Sequence, residues 1–499
     1  MHPATHPDIW SDILQYFRLS LAEPLKFSQE SVAADRSLSK QTLFSVALTC
    51  SSLFNPALDE LWRSLTTLEY VTRIYDIPAE PGSSGSAFKY EEGGYWISNV
   101  APDQKETLAP RLQSYLRRIH FLHFKEFPSA REYTLWPILL VLSGSQCHLR
   151  PNLKGLSLFL KNVPPTMVYQ LSSLISPSIE TLDIDHRNEV ENEKFAIVLL
   201  NLIRGLGTTS LRELTYRGAT SPGIFEEARH FHSLCKLNIK NHTKPNPSLL
   251  EAPDIERLRY LSHLTCLSLD TRSFSWDAIE VARQWLGSME TLYELGLEGR
   301  WDDIHHCIFK RLTFHNIRHL RLCLTSPVGE NLFHLVSPTF PALQEFFIRV
   351  QWNIRGGSSL RFRVSDIMGL KAHPIKKIAL SNIPLLVSSE DIPLLLATWP
   401  LLESIILVPD ETVKSGFAFD AKFVLVQASR LGTRLKSMLM PFDFTSLTAT
   451  QTTSLPPSHS PLQQLTLFLF NTVIPRAGRI NKNLLLTLSL SFLDWPAST

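Results

Sequence analysis

The chain lacks the features of several protein classes. Its six cysteines are scattered over 499 residues with no C-x-x-C pair, so neither a disulfide framework nor a zinc site is indicated. The most apolar stretches, residues 394–408 and 484–493, are too short or too interrupted to cross a bilayer, which takes about 20 residues. The first ten residues also lack the basic and apolar regions of a secretion signal. We therefore expect a cytoplasmic or nuclear protein that does not contact membranes.

Motifs for catalysis and for polyanion binding are also missing. A net charge of +2, with 44% hydrophobic residues, is ordinary for a globular protein and gives no reason to expect nucleic acid. The sequence has no phosphate-binding glycine loop and no G-x-S-x-G elbow. Neighbouring residues His305, His306 and Cys307 point in different directions and cannot converge on one tetrahedral ion. Asp183 and Asp185 share one strand face, which a solvated strand end explains. We expect no enzyme activity, no metal and no cofactor.

The first 65 residues predict a small module of three helices. Pro7 suits the first turn of one helix, Ser39 can cap a second, and Asn55 with Pro56 can begin a third that continues to Leu65. Apolar residues lie on more than one side of each helix, and such a helix must sit in a core or cover a partner. The segment is therefore interpreted as a docking module.

Residues 43–65 carry a recognisable pattern. The matching positions are Leu43, Ala47, Leu48, Cys50, Ala57, Leu58, Leu61, Trp62 and Leu65. This pattern resembles the F-box of fungal, basidiomycete-type proteins, with residues 20–40 as a longer insert that we predict to be a loop or a weak helix. The resemblance implies binding to a Skp-family adaptor and, through it, to a cullin that carries the ubiquitin-transfer machinery. It also implies these adaptor-binding or supporting residues: Pro7, Ile9, Ile13, Leu14, Leu43, Leu48 and Leu61. Alternatively, the helices only cap the array that follows.

A six-residue phrase, apolar at its first, fourth and sixth positions, recurs through the rest of the chain. It starts at Leu116, Leu153, Ile179, Leu211, Leu234, Leu264, Leu292, Ile317, Leu343, Ile375, Leu402, Leu435 and Leu462. The fourth and sixth positions of a short strand point inward, and the third and fifth point outward. Such spacing overlaps that of leucine-rich repeats. The alternative is coincidence, because leucine-rich helices also contain apolar pairs three residues apart.

The predicted fold is an α/β solenoid, in which an N-terminal three-helix F-box is followed by an irregular leucine-rich-repeat arc with a parallel concave sheet. The predicted repeat arc resembles the degenerate leucine-rich repeats that follow the F-box in many F-box proteins. The predicted domains are an F-box at 1–68, a linker at 69–114 and repeats at 115–499. Helical return segments are predicted at 225–232, 365–373 and 391–400, and loops at 77–95, near Lys244 and at 445–461.

Target binding is expected on the outward strand residues. The predicted contacts are Arg118, Asp183, Glu213, Lys236, Asp270, Glu294, Arg321, Arg349, Ile406 and Leu439. Charges of both signs alternate along most of this set, which favours a folded protein over a polyanion as the partner. The last two are apolar, and they either form a partner site or are covered by the chain itself.

These patterns predict a non-catalytic substrate receptor of a Skp–cullin–F-box ubiquitin ligase, whose repeats hold an unidentified target protein. The alternative is a leucine-rich-repeat interaction scaffold unconnected to ubiquitin. An enzyme of unfamiliar fold is a third possibility, but no motif supports it.

Overall fold

The chain forms two compact units, Met1–Asn246 and Pro247–Thr499. A computed structural model describes residues 14, 29–49, 51–67, 71, 88–91, 94–97, 110–124, 152–160, 174–186, 191–207, 210–219, 221–241, 250–309, 312–329, 331–351, 361–383, 385–409, 419–431, 434–443 and 464–468. The division between the units falls next to the predicted loop near Lys244, and the predicted F-box and the first repeats lie together in unit 1.

Unit 1 combines parallel strands with helices. Its helices are α1 (Gln29–Thr49), α2 (Ser51–Arg63), α3 (Glu191–Gly205) and α4 (Pro222–Ala228), with a further helical turn over 110–116. Its strands are β1 (Ser64–Leu65), β2 (Phe88–Glu91), β3 (Gly94–Ile97), β4 (Phe121–His123), β5 (Gly155–Leu160), β6 (Thr181–His186), β7 (Glu213–Arg217) and β8 (Lys236–Lys240). All strands except β2 and β3 form one parallel ladder in the order β1-β4-β5-β6-β7-β8.

The helical module differs from its predicted boundaries. The helix α1 passes through Ser39 without a break, so Ser39 does not cap a helix, and the second half of the predicted insert is helical. Pro56 lies inside α2, which begins five residues earlier than predicted. The same helix ends at Arg63, and the next two residues form β1, the first strand of the ladder. The module and the ladder are therefore joined without a linker at this point.

Unit 2 repeats the same construction. Its helices are α5 (Ala252–Glu256), α6 (Trp276–Gly287), α7 (Trp301–Ile304), α8 (Leu332–Thr339), α9 (Val364–Ile367), α10 (Ile392–Thr398) and α11 (Ala421–Leu431), with shorter 3-10 turns and a π-helical turn at His305–Phe309. Its strands are β9 (Cys266–Asp270), β10 (Glu294–Gly299), β11 (His319–Leu324), β12 (Glu345–Val350), β13 (Phe362–Arg363), β14 (Lys377–Ile383), β15 (Leu385–Leu386), β16 (Ser404–Pro409), β17 (Phe419–Asp420), β18 (Ser437–Asp443) and β19 (Gln464–Phe468).

The main ladder of unit 2 is parallel. Its order is β9-β10-β11-β12-β14-β16-β18-β19, while β17 pairs with the far end of β18 and β13 pairs with β15. The chain therefore has the predicted α/β arrangement with parallel strands. The helical returns are confirmed as well, because α4, α9 and α10 fall within or overlap the three predicted segments.

The recurring phrase determines both the strands and the core. From the phrase at Leu153 onward, every strand of the two main ladders begins at the third residue of its phrase. Where the structure describes their burial, the first-, fourth- and sixth-position side chains of these phrases are almost fully buried, for example Leu211, Leu214 and Tyr216 in unit 1. Burying such a side chain contributes roughly 1.5–3 kcal/mol, so the stacked rows of each ladder form its core.

The first phrase was assigned in the wrong register. Phe121 pairs with Gly155 and Leu122 with Leu156, so the repeat begins at Ile119 rather than Leu116. Leu116 instead belongs to the helical turn over 110–116, where it is buried. Consequently the outward residues of this repeat are Phe121 and His123, not Arg118.

Part of the predicted loop at 77–95 is ordered as a hairpin. Strands β2 and β3 pair antiparallel, with Phe88 opposite Ile97 and Tyr90 opposite Tyr95. The predicted loop at 445–461 lies outside the described residues.

Candidate functional site

The helical module has its own small core. Leu14, Leu43, Ala47 and Ala57 form a buried cluster, and Leu61 packs against it while remaining partly exposed. Leu14 and Leu43 are therefore sealed within the module, so they can support a binding surface but cannot contact a partner directly. Pro7, Ile9 and Ile13 lie outside the described residues.

The module also exposes large apolar side chains. Phe44 is 55% exposed, Leu48 is 68% exposed and Phe54 is 42% exposed. Phe44 and Leu48 are four residues apart on α1 and so lie on one face of that helix. Of the predicted adaptor residues that the structure describes, Leu48 is thus the most accessible. The sequence analysis missed Phe44 and Phe54, although the spacing of Phe44 and Leu48 was a signal for the first.

The Arg118 side chain links the parallel ladder to the helical module. Its guanidinium donates to the Asp59 carboxylate, to the backbone carbonyl of Asn55 at 3.1 Å and to the Asn55 Oδ1 at 2.9 Å. The Trp62 and Tyr115 rings pack beside this contact with centroids 4.8 Å apart. Arg118 therefore lies outside the outward strand positions for which it was chosen, and its charge is paired within unit 1.

In unit 1 most of the described charges of the outward row are paired with one another. We call the third, fifth and seventh residues of each phrase the outward row. Arg217 donates to both Asp183 oxygens at 3.0 and 3.3 Å, and lies 3.7 Å from Asp185. Burial raises the pKa of Asp183, and the Arg217 charge partly offsets this. Lys236 also lies 3.7 Å from Glu213. These predicted contacts lie where expected on the strands, but each already has a partner.

Behind this row lies a buried imidazole. His186 ends β6 on the inward side, and neither ring nitrogen has a hydrogen-bond partner among the described residues. Phe195 and Tyr216 pack against it, with ring centroids 6.4 and 5.6 Å away. Burial lowers the pKa of His186 to about 4, so the ring is neutral at pH 7. The arrangement Asp183–Asp185–His186 therefore does not converge on one point.

Asp270 in unit 2 stabilises a turn. Its side chain is fully buried, accepts from the backbone N–H of Arg272 at 3.0 Å and receives the Arg272 guanidinium. The guanidinium also lies 3.4 Å from Glu298, which in turn accepts from Gln351 at 3.0 Å. Asp270 thus lies on the predicted strand, but the arginine two residues later holds its carboxylate inside the structure, where it presents no surface to a partner.

The middle strands of unit 2 carry less completely paired charges. Arg321 and Arg349 are exposed, and the Arg321 guanidinium lies 5.4 Å from the centroid of the Phe347 ring. Ile406 and Leu439 lie half-buried on the same face. Glu294 is half-buried and opposes His319 in register.

A shallow open hollow lies near the start of three of these strands, β10, β11 and β12. It is lined by Tyr293, Asn316, Arg318, His319 and Gln344. The sequence analysis missed it because it considered only outward positions, whereas Tyr293, Arg318 and Gln344 occupy the second position of consecutive phrases.

The remaining candidate groups have structural surroundings. Cys307 is buried, and burial raises its pKa to about 12. His306 Nε2 lies 3.4 Å from Glu280, and its ring is 4.5 Å from that of Trp276. Within the described residues, no group of three or more His, Cys, Asp or Glu side chains could hold a metal ion. No helix in the described part of the chain is long and apolar enough to span a membrane.

Comparisons with known proteins add no assignment: no protein-family model matches this chain, and no curated protein is significantly similar to it.

Proposed function

We propose that this protein is the substrate-recognition subunit of a Skp–cullin–F-box ubiquitin ligase. In this proposal the helical module binds a Skp-family adaptor, and leucine-rich repeats hold a target protein. The adaptor links both to a cullin. Catalysis comes from the assembly, which brings the target close to the charged enzyme. The protein acts in the cytoplasm or the nucleus.

The observation that carries the proposal is the division of apolar residues in the module. Leu14, Leu43 and Ala57 close a core, while Phe44 and Leu48 remain exposed on one helix face. A helix pair that needed only to cap the ladder would cover its apolar residues with its own chain. Exposed aromatic and leucine side chains in one small module instead favour a protein partner.

The junction between module and ladder supports the same role. Because α2 runs directly into β1, and Arg118 holds Asp59 and Asn55, the module has a fixed orientation on the first strands of unit 1. A fixed orientation would present the bound adaptor at a constant angle to those strands. Parallel strands with buried leucines every two residues support repeats of the leucine-rich type behind it.

A pull-down of the purified full chain with a Skp-family adaptor tests the proposal. The variant Phe44→Asp with Leu48→Asp places two charges in the expected interface, so we expect the affinity to fall by about a hundredfold or more. The matched control is Val198→Asp, because Val198 is also an apolar helix residue and 41% exposed. It should bind the adaptor as the unmodified chain does.

Thermal unfolding of all three proteins shows whether the substitutions leave the fold intact. Leu61 is unsuitable for this test, since it packs against the module core and its replacement by aspartate would unfold the module. Adaptor binding that survives the double substitution contradicts the interface. A folded chain that binds no adaptor contradicts the ubiquitin assignment and leaves the interaction scaffold.

A further inference from the structure

The middle strands of unit 2 bring two arginines and an apolar strip into one row. Register pairs Arg321 with Phe347, then Ala379, then Ile406 and then Leu439, one residue from each successive strand. Arg349 lies two residues after Phe347 and so projects from the same face of β12. The row therefore changes from cationic to apolar along a single line across the ladder.

Neither arginine is neutralised by its neighbours. Arg321 lies between Gly296 and Phe347, and Arg349 lies between Cys323 and Ser381, none of which is acidic. In the described part of unit 2, neither guanidinium forms an ion pair, and both are exposed.

Three acidic side chains lie diagonally beside Arg321 on the neighbouring strands, Glu294 and Glu298 on β10 and Glu345 on β12, and the last two are already engaged. Glu345 lies 2.8 Å from the Lys377 ammonium, and Glu298 lies 3.4 Å from Arg272. The two guanidinium groups are thus available for an anion from outside this set.

The Phe347 ring holds the Arg321 side chain in a position from which it can bind such an anion. With the guanidinium 5.4 Å from the ring centroid, the cation–π contact restricts the side chain while its N–H groups remain free to donate. A guanidinium binds a carboxylate through two parallel hydrogen bonds, and these charge-assisted bonds are about twice as strong as neutral ones.

The apolar part of the row indicates that a ligand carries apolar side chains in addition to the anionic group. Ile406 and Leu439 are half-buried, so each leaves part of its side chain to a partner. The row from Arg321 to Leu439 covers four strand spacings, or about 19 Å, which an extended chain spans with about six residues. A short segment could therefore place an acid at one end and apolar side chains at the other.

We propose that this row, Arg321, Phe347, Arg349, Ile406 and Leu439, binds an extended segment of a target protein that carries an aspartate or glutamate at one end and apolar residues at the other. The carboxylate pairs with the two arginines, and the apolar side chains cover Ile406 and Leu439. This inference rests on the target-binding half of the proposed function and does not depend on the adaptor.

Synthetic peptide libraries and the immobilised full chain provide the test. Peptides of about ten residues, long enough for the row, carry one fixed glutamate and, about three to six residues from it on either side, leucine, isoleucine, valine or phenylalanine. A second library has glutamine at the fixed position and a third has phosphoserine. We expect glutamate peptides to be retained, with their glutamine counterparts bound about tenfold more weakly in fluorescence anisotropy.

Substitutions separate the two parts of the site. Arg321→Gln combined with Arg349→Gln should abolish the preference for glutamate over glutamine peptides. Ile406→Ala should instead lower the affinity for both peptides by the same factor. The matched control is Arg212→Gln, since Arg212 is an exposed arginine of unit 1 outside the row. It should bind like the unmodified chain.

Three results of the peptide experiments would overturn the proposal. These are equal retention of the glutamate and glutamine libraries, retention of phosphoserine peptides alone, and an unchanged preference in the double arginine variant. If the chain self-associates and the double arginine variant does not, the row binds a second copy of the chain. This result would also overturn the proposal. Because no adaptor is present, none of these outcomes depends on whether the F-box assignment is correct.

Discussion

The two ladders share one kind of interior and differ on their outward faces. In both units, buried apolar side chains, most of them leucine or isoleucine, fill the fourth and sixth positions of the phrases from Leu153 onward, wherever the structure describes their burial. In unit 1, Arg217 is paired with Asp183 and Asp185, whereas in unit 2 Arg321 and Arg349 are exposed without an acidic partner among the described residues. A polar row can therefore stabilise its own fold or remain available to a ligand, and the distinction lies in whether neighbouring strands supply opposite charges in register.

Core substitutions should show that the interiors are equivalent. Leu214 in unit 1 and Leu322 in unit 2 occupy inward positions and are fully buried. We expect Leu214→Ala and Leu322→Ala each to cost about 3–4 kcal/mol, because each removes buried methyl groups and leaves a cavity. Hydrogen exchange of the strands in the affected unit measures the loss. If one substitution costs under about 1 kcal/mol, the two interiors are not packed alike.

The buried imidazole of unit 1 should make stability depend on pH. The pKa of His186 falls from 6.5 to about 4 on folding, so the unfolded chain binds more protons between these values. Above pH 6.5 the His186 ring is neutral in both states, so it does not lower the free energy of unfolding. As the pH falls from 6.5 toward 4, the unfolded chain takes up a proton that the folded chain does not, and the free energy of unfolding decreases. The total is on the order of 3 kcal/mol.

Comparison with His186→Leu isolates this contribution. The variant fills the apolar space beside Phe195 and Tyr216 and cannot take up a proton. Urea unfolding at several pH values should give a smaller loss of stability on acidification for the variant. Equal losses in both proteins would show that His186 is accessible to protons in the folded state.

Two outward glycines sharpen the contrast between the faces. An added Cβ at Gly155 would lie 2.5 Å from both the Phe121 ring and Thr181 Oγ1, whereas at Gly296 its nearest contact is Ser268 Oγ at 2.8 Å. A serine hydroxyl can rotate away, but the ring and the branched threonine have little room. We expect Gly155→Ala to cost about 2 kcal/mol and Gly296→Ala less than about 1 kcal/mol in urea unfolding. The reverse order would contradict the close approach at Gly155.

The arginines themselves give the smallest but most direct comparison. Arg217→Gln leaves Asp183 and Asp185 close together without their cation, so we expect a loss of about 1 kcal/mol. Arg321→Gln removes no ion pair and should change stability by less than about 0.5 kcal/mol. Chemical unfolding of both variants measures the difference, and equal losses would remove the distinction between the two outward rows.

Sequence alone predicted the ladders well because the phrase encodes local geometry. A strand alternates its side chains, so apolar fourth and sixth positions identify the inward face wherever a strand forms. The same rule failed at Leu116, since a helix also brings residues three apart onto one face, and the true repeat begins at Ile119.

The binding residues were harder to predict because the availability of a charged side chain depends on contacts that form only in the folded chain. Arg118 is bound by Asp59 and Asn55, which lie in the helical module, and no local pattern reveals that contact. Asp270 is bound by Arg272, and only the turn that follows β9 brings the two together. The boundaries of α1 and α2 were missed for a related reason, since Ser39 and Pro56 resemble helix starts but lie within continuous helices.

The central claim is that one chain carries two separate binding surfaces, one for an adaptor and one for a target segment. The most direct test captures the full chain on an immobilised Skp-family adaptor and then measures binding of a glutamate peptide selected from the library. The account predicts that the captured chain binds the peptide with the affinity of the free chain. The variant Arg321→Gln with Arg349→Gln should still be captured but should not bind the peptide. The variant Phe44→Asp with Leu48→Asp should not be captured at all. Displacement of the peptide by the adaptor, or capture of the Phe44→Asp and Leu48→Asp variant, would contradict it.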